Sequence, residues 1–257
     1  MQLVILAGGK GTRISEESNL KPKPLVEIGN MPIIWHIMKF YASYGIKEFI
    51  LCVGYKGNLI KEFFHNYNLH TSDLMINLKN NKKKFYKNKK DDWKITIIDT
   101  GLDTLTGGRI KRIKKYIKGK HFCLTYGDGL SDINLKKLIE FHKKHKKSAT
   151  VTTVKPLGKF GAISLSGDNV KKFQEKPDGD GNWISGGFFV LNKNIFSYIE
   201  NDETIWEKQP LENLAKKNQL KAYKHKGFWA SMDTLNDKNN LEKIWMSKEI
   251  PWKRWDE

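Results

Sequence analysis

The chain has 257 residues, of which 39% are hydrophobic and 12% aromatic, a composition that supports a sizeable core and excludes a chain disordered throughout. No apolar run approaches the length of a membrane span and no basic segment precedes the first apolar stretch, so we expect a cytoplasmic protein without a signal peptide. The net charge of +18 indicates nucleic acid, a membrane surface or small anionic substrates as partners, unless the lysine- and asparagine-rich surface has no binding role.

Strand-like and helix-like stretches alternate along the first half of the chain. They are, in order, the strand QLVILA, the helix MPIIWHIMKFYASYGI, the strand KEFILCVGY, the helix GNLIKEFFHNY, the strand WKITIIDTG, the basic helix GGRIKRIKKYI, the strand KHFCLTYGDG and the helix NLKKLIEFHKKH. Continuous apolar runs are typical of strands that are buried on both faces. This alternation predicts a parallel sheet with helices on both faces.

After Ser148 the pattern changes to four strand-like runs joined by short polar links, SATVTTVKP, GAISLS, NVKKFQEKP and ISGGFFVLN. We expect these runs to extend the same sheet, which gives a Rossmann-like α/β fold with a mixed, mostly parallel sheet between helices. No proline-, glycine- or serine-rich linker divides the chain, so residues 1–257 are predicted to form a single domain. Residues 77–92 are predicted to form a protruding hairpin or loop.

Cysteine and histidine can bind metals, but the positions of these residues in the sequence do not predict a metal site. Cys52 and Cys123 lie far apart, each in an apolar run, and are expected to be reduced thiols in the core. His142 and His145 lie one turn apart on a lysine-rich helix, and we interpret them as part of a solvated face rather than as a pair of metal ligands.

The first strand ends in the glycine-rich loop AGGKGTR, residues 7–13. In open α/β sheets, ligands bind at the carboxyl ends of the strands. Glycines permit positive φ and let backbone N–H groups approach an anion closely, while Lys10, Thr12 and Arg13 add donors and charge. The Walker A motif is absent, and Ile14 stands where the dinucleotide fingerprint needs a third glycine. The loop therefore predicts a phosphate site of another kind, with a simple tight turn as the alternative.

Further motifs follow this loop along essentially the whole chain. They are KPKPLVEIGNMPII (21–34), IIDTG (97–101), LTGGR (105–109), TYGDG (125–129), FQEKP (173–177), GGFFVLN (186–192), GFW (227–229), MDT (232–234) and PWKRW (251–255). Together with LAGGKGTR they resemble the signature of the sugar-1-phosphate nucleotidylyltransferases, and the full set is similar to the cytidylyl branch of that family. The resemblance implies a nucleotidyltransferase fold in which residues 1–147 bind the nucleotide and residues 148–257 bind the sugar phosphate.

The activity that the resemblance implies is the reaction of CTP with α-D-glucose 1-phosphate to give CDP-glucose and pyrophosphate, for the synthesis of deoxysugars or of surface glycans such as O-antigen. It also implies Mg²⁺ as cofactor, a homo-oligomer, and neither nucleic acid nor membrane as partner. The alternatives are a related transferase that uses another nucleotide or sugar phosphate, and a basic nucleic-acid-binding protein whose affinity falls steeply with salt.

The resemblance assigns the nucleotide to the glycine loop and its surroundings. The implied nucleotide-binding residues are Leu6, Ala7, Gly8, Gly9, Lys10, Gly11, Thr12, Arg13, Lys23, Thr106, Gly107, Arg109 and Gly127. Arg13 is expected on the β- and γ-phosphates, since a forked guanidinium suits that contact, and Lys23, held between two prolines, is expected on the α-phosphate. Arg109 is expected at the base or ribose, with a surface charge on the basic helix as the alternative.

Carboxylates and a second set of glycines complete the implied site. Asp128 and Asp233 are expected to bind Mg²⁺, which usually takes one or two protein carboxylates besides phosphate oxygens and water; helix capping is the alternative for either. Asp128 joins Arg13 and Lys23 as the expected catalytic set. The sugar phosphate is assigned to four residues of the second half, which are Glu175, Lys176, Gly186 and Gly187.

Overall fold

Helices and strands alternate along the part of the chain that the computed structural model describes, which is residues 1–11, 20–86, 91–155, 162–166, 169–174 and 183–255. The α-helices are α1 (Ile33–Ala42), α2 (Gly57–His65), α3 (Tyr67–Thr71), α4 (Thr106–Arg112), α5 (Leu135–His145), α6 (Gln209–Lys216) and α7 (Leu235–Trp245). Single turns of 3-10 helix cover Lys23–Leu25 and Lys114–Tyr116, and a longer 3-10 segment covers Lys193–Tyr198. No helix in these ranges is both long and apolar enough to cross a membrane.

The strands form one large sheet and several two-stranded ones. They are β1 (Gln2–Ala7), β2 (Glu27–Ile28), β3 (Met31–Pro32), β4 (Glu48–Val53), β5 (Asp73–Asn77), β6 (Lys82–Tyr86), β7 (Lys94–Asp99), β8 (His121–Tyr126), β9 (Gly129–Ser131), β10 (Ala149–Val154), β11 (Ala162–Ser166), β12 (Asn169–Gln174), β13 (Ile184–Asn192), β14 (Leu220–Lys224) and β15 (Trp229–Ser231). The large sheet has seven strands in the order β14-β10-β13-β8-β1-β4-β7. Within it β13 runs antiparallel to both neighbours and the other pairs are parallel, which confirms the mixed, mostly parallel sheet.

Both faces of the sheet are covered, as the alternation of strands and helices predicts. Along β1, Leu3 and Ile5 pack into one hydrophobic cluster with residues of α1, α5 and α7, whereas Val4 and Leu6 pack into a second cluster with residues of α4 and α6. These four side chains are 0 to 8% exposed, so β1 is buried on both sides and lies in the middle of the molecule. Both cysteines are free and buried, one in each cluster, as expected.

The second half of the chain differs from the prediction in two places. SATVTTVKP and ISGGFFVLN supply β10 and β13 of the large sheet, but β11 and β12 pair antiparallel with each other and form a separate two-stranded sheet. The prediction that all four runs extend the main sheet is therefore wrong for GAISLS and NVKKFQEKP. The edge position goes instead to β14, which pairs in parallel with β10. Local pattern identifies a strand, but its pairing partner is set by contacts far along the chain.

The structure also differs from the predictions for the hairpin and for His142. β5 and β6 form an antiparallel hairpin that begins at Asp73, before the predicted start, and every residue of β6 is exposed. His142, interpreted above as solvated, is fully buried: Nδ1 hydrogen-bonds with Thr150 Oγ1 at 2.8 Å and Nε2 with His121 Nδ1 at 3.0 Å. Burial lowers the pKa of His142 to about 3, so the ring is neutral at pH 7.

The C-terminal helix fixes the turn that precedes α1. Gly29, at φ +57°, donates its N–H to Glu242 Oε2 at 2.7 Å, and the indole of Trp245 fills the space where a side chain at position 29 would stand. Only glycine fits this position, because a Cβ would meet the ring and would be strained in the left-handed region. The contact holds α7, and the residues just before it, close to the segment that carries Lys23.

Candidate active site

The glycine loop lies at the carboxyl end of β1 and forms one wall of a cavity of about 560 Å³. Leu6 and the five described residues of the loop, Ala7 to Gly11, line this cavity. Gly11 has φ +64°, and a side chain at Gly8 would clash with the guanidinium of Arg109. Thr12 and Arg13, predicted to contact the nucleotide, lie outside the described residues.

The facing wall is built by the N-terminus of α4 and by the end of β8. It contains Leu102, Asp103, Thr104, Leu105, Thr106, Arg109, Tyr126, Gly127 and Asp128, and Lys23 and Pro24 close the cavity. Gly127 donates its N–H to Leu6 O at 3.0 Å, which ties the end of β8 to the loop after β1. The cavity therefore gathers most of the predicted nucleotide-binding residues, although they are spread over more than a hundred positions of sequence.

Arg109 lines the cavity and is buried, rather than lying on the surface of a basic helix. It is 5% exposed, and burial lowers the pKa of its guanidinium. Its two terminal nitrogens donate to four acceptors, which are Thr100 Oγ1 and Gly101 O at 2.7 Å and Val53 O and Leu102 O at 3.2 Å. These hydrogen bonds hold the loop that follows β7, so the alternative of a surface charge is wrong.

Gly107 is not among the residues that line the cavity. Its N–H donates to Thr204 O at 2.9 Å, and a Cβ at this position would stand 2.7 Å from the same oxygen. A Cβ at Gly108 would stand 2.5 Å from Asp202 Cα. The glycine pair thus permits the segment before α6 to pack on the first turn of α4, and the prediction that Gly107 contacts the nucleotide is not supported by its position.

Lys23, Asp128 and Asp233 meet beside the cavity, which Lys23 and Asp128 line. The Lys23 ammonium donates to Asp128 Oδ2 at 2.6 Å and to Asp233 Oδ1 at 2.9 Å. The side chain of Lys23 is 11% exposed and those of the aspartates are 27% and 22% exposed. The antiparallel pairing of β9 with β15 brings the aspartates together, since Met232 donates its N–H to Asp128 O at 2.9 Å.

Neither aspartate acts as a helix cap. Thr234 is the N-cap of α7 and forms a capping box with Asp237, and the N-cap of α5 is Asn134. Ser231 donates to Asp233 Oδ2 at 3.0 Å, which fixes the orientation of that carboxylate. Both carboxylates thus face a cation, the Lys23 ammonium, rather than a helix N-terminus, and the capping alternative is wrong for each.

A second cavity of about 400 Å³ adjoins the first and shares Tyr126 and Asp128 with it. It is lined by Thr125, Tyr126, Asp128, Gly129, Ser185, Gly186, Gly187, Glu207, Trp229, Ser231 and Asp233. Gly186 and Gly187 are where the sequence predicts the sugar, and a Cβ at Gly187, at φ +77°, would stand 2.6 Å from the Tyr126 ring. Glu175 and Lys176, predicted for the same site, lie outside the described residues.

Three residues of the second cavity have no role assigned from the sequence, although Tyr126 and Trp229 lie in the motifs TYGDG and GFW. Trp229 donates its indole N–H to Gly186 O at 2.8 Å. Glu207 accepts hydrogen bonds from Tyr126 and, at 2.6 Å, from Thr106 Oγ1. Burial and the nearby Glu207 carboxylate raise the pKa of Tyr126, so its hydroxyl stays protonated and donates. Trp229 lies in the motif GFW, which could have identified it, whereas no local sequence pattern identifies Glu207.

Comparison with known proteins agrees with this geometry. Residues 2–237 match the family model described as nucleotidyl transferase. The chain is 51% identical over 257 residues to the glucose-1-phosphate cytidylyltransferase of Salmonella typhi, with 100% of both chains covered. It is 45% identical over 256 residues to the probable glucose-1-phosphate cytidylyltransferase of Bacillus subtilis, covering 99% of this chain and 100% of the relative. The crystal structure of HddC from Yersinia pseudotuberculosis shares the fold, with a TM-score of 0.69 and 24% identity, covering 95% of this chain and 99% of that chain.

Proposed function

Because the chain belongs to the nucleotidyl transferase family, we propose that it transfers the cytidylyl group of CTP to α-D-glucose 1-phosphate, giving CDP-glucose and pyrophosphate. The proposal rests on the sequence identity of 51% to a glucose-1-phosphate cytidylyltransferase over the full length of both chains. The two adjoining cavities, with Asp128 in both, support a reaction between two bound substrates.

The chemistry is an in-line displacement at the α-phosphorus of CTP. A phosphate oxygen of glucose 1-phosphate forms the new bond, and the bond to the β-phosphate oxygen breaks, so that pyrophosphate leaves. Because both reactants are anions, catalysis is mostly alignment and charge neutralisation. The triphosphate would lie against the glycine loop, with Lys23 on the α-phosphate and Arg13 on the phosphates that leave.

The donor set at the junction of the cavities fits Mg²⁺. Asp128 and Asp233 converge on one point and offer hard oxygen ligands, the kind that Mg²⁺ prefers. When bound, the metal neutralises phosphate charge and polarises the α-phosphate. The remaining ligands would be phosphate oxygens and water.

The second cavity would hold the glucose moiety. Gly186 and Gly187 present backbone without side chains, and Trp229 offers an apolar wall, as sugar sites commonly do. Glu207 is an exposed carboxylate whose oxygens each accept one hydrogen bond from the protein, so each retains a lone pair for a sugar hydroxyl. Glu175 and Lys176 would complete this side, with the lysine on the sugar phosphate.

The contacts of Arg109 change its proposed role. Since its terminal nitrogens donate to four protein acceptors, three of them on one nitrogen, Arg109 would mainly position residues 100–102 against the nucleotide. The base would then be recognised by the backbone of the glycine loop and of residues 102–106. A transferase specific for another nucleotide remains the alternative.

Two further parts of the proposal extend beyond the reaction. The product would serve the synthesis of deoxysugars or surface glycans such as O-antigen in the cytoplasm. The chain would act as a homo-oligomer, which the exposed apolar side chains of the β5–β6 hairpin support: Met75, Ile76, Phe85 and Tyr86 are 39 to 48% exposed. Light scattering on the purified protein measures the subunit number directly.

Product analysis tests the proposed reaction. CDP-glucose and pyrophosphate should appear in equal amounts when CTP, glucose 1-phosphate and Mg²⁺ are all present. Omitting the sugar phosphate or chelating the metal should abolish both products. Pyrophosphate release that needs no sugar phosphate would contradict the proposal.

A further inference from the structure

The ammonium of Lys23 occupies the position between the two proposed metal ligands. Its nitrogen lies 2.6 Å from one oxygen of Asp128 and 2.9 Å from one oxygen of Asp233, so it already bridges the carboxylates as a shared cation would. Mg²⁺ binds oxygen at about 2.0–2.1 Å. A metal held by these two carboxylates would compete with the ammonium for them and would repel it.

The charges at this point explain why a cation is needed in the absence of metal. Two carboxylates of the same sign converge through the pairing of β9 with β15, and each is largely shielded from water. Like charges in a partly buried site repel, and the Lys23 ammonium offsets this repulsion. Lys23, Asp128 and Asp233 together carry a net charge of −1. With Mg²⁺ bound to the aspartates and the ammonium still nearby, the net charge becomes +1.

The backbone of Lys23 is fixed, so a change of partner would require movement of the side chain alone. Pro22 precedes it, Leu25 donates its N–H to Pro22 O at 2.7 Å, and Val26 donates to Lys23 O at 3.0 Å. Lys23 also lines the nucleotide cavity. An ammonium released from the aspartates would therefore lie next to the proposed position of the triphosphate.

We propose that Lys23 is a built-in counter-ion of Asp128 and Asp233 that is exchanged for the metal, so that binding of the metal releases the ammonium toward the phosphates. This rests on the proposed metal site and assigns a second role to the same lysine. A consequence is that the nucleotide-free protein binds divalent metal weakly, because the metal must first displace a cation that is already hydrogen-bonded to both ligands.

The experiment measures the affinity of the nucleotide-free, full-length chain for Mn²⁺, from the electron paramagnetic resonance signal of the free ion. Lys23→Met keeps an unbranched stem and removes the charge. We expect it to bind Mn²⁺ at least about tenfold more tightly than the wild type, since one cation is removed at hydrogen-bond distance from both ligands. Lys21→Met is the matched control, because Lys21 pairs with Glu27 on the surface, and its affinity should equal that of the wild type.

Equal or weaker Mn²⁺ binding by Lys23→Met would overturn the exchange, even if the enzyme activity is as proposed. Failure of both proteins to bind Mn²⁺ would overturn the exchange together with the metal assignment. The thermal unfolding midpoint gives an independent measure: in EDTA it should be lower for Lys23→Met than for the wild type, and Mn²⁺ should raise it more. A variant that unfolds in EDTA and is not restored by Mn²⁺ would also contradict the proposal.

Discussion

Replacing Arg109 by lysine separates a positioning role from a direct contact with the base. The guanidinium donates to four oxygens at 2.7 to 3.2 Å, and an ammonium, which is a single point of donation, cannot reach acceptors around a planar fork. If two of the four hydrogen bonds are lost, at about 1.5 kcal/mol each for a charged donor, the free energy of unfolding should fall by about 3 kcal/mol.

The assay combines urea unfolding with kinetics on two nucleotides. For Arg109→Lys we expect the loss of stability and a higher KM for CTP, because residues 100–102 lose their anchor, but an unchanged ratio of kcat/KM for CTP and UTP. Arg112→Lys is the matched control: it lies one turn further along α4, is partly exposed and pairs with Asp202, and it should remain close to the wild type. Loss of the CTP preference without loss of stability would refute the positioning role.

Three further predictions follow from the site and the core. Asp128→Asn should leave the fold intact and reduce kcat by a factor of about 10² or more, because a metal ligand is lost; near-normal turnover would contradict its assignment. Gly187→Ala should raise the KM for glucose 1-phosphate and lower stability by roughly 1–3 kcal/mol, since the residue has φ +77° and faces the Tyr126 ring; an unchanged KM and urea midpoint would argue against it. Burial lowers the pKa of His36 from 6.5 to about 4. As the pH drops from 6.5 to 4, the unfolded chain binds this proton before the folded chain does, so the free energy of unfolding should fall by up to about 3 kcal/mol. Urea unfolding across this range should give a flatter pH dependence for His36→Gln, and an identical slope would show that His36 is not the cause.

The glycine loop and the aspartates illustrate what sequence can predict. A strand that ends in glycines is recognisable from the local sequence alone. In a parallel sheet, the ends of neighbouring strands then lie at one edge. For this reason Leu6 to Gly11, Gly127 and Asp128, which the sequence assigns to one site, line one cavity. The position of Asp233 beside Asp128 agrees with the family motif, but the cause is the pairing of β9 with β15, which no local pattern reveals.

The errors share a different physical origin. The lysine-rich surroundings of His142 indicate solvent, yet its side chain is buried because the tertiary fold supplies hydrogen-bond partners from other elements. The missing side chain of Gly107 makes room for Thr204, and the contact of Gly107 with the nucleotide stays a prediction. Glu207 was missed because its partners Thr106 and Tyr126 are distant in sequence.

The most direct test of the account is the kcat/KM of CTP, UTP, ATP and GTP with glucose 1-phosphate and Mg²⁺, measured by pyrophosphate release. Cytosine presents an amino donor where uracil presents a carbonyl, so a site that hydrogen-bonds to one leaves buried groups unpaired against the other. The account predicts CTP as the best substrate, with UTP a weak second by up to roughly 10⁴-fold and negligible use of ATP and GTP. A preference for UTP or for a purine nucleotide would contradict the cytidylyl assignment.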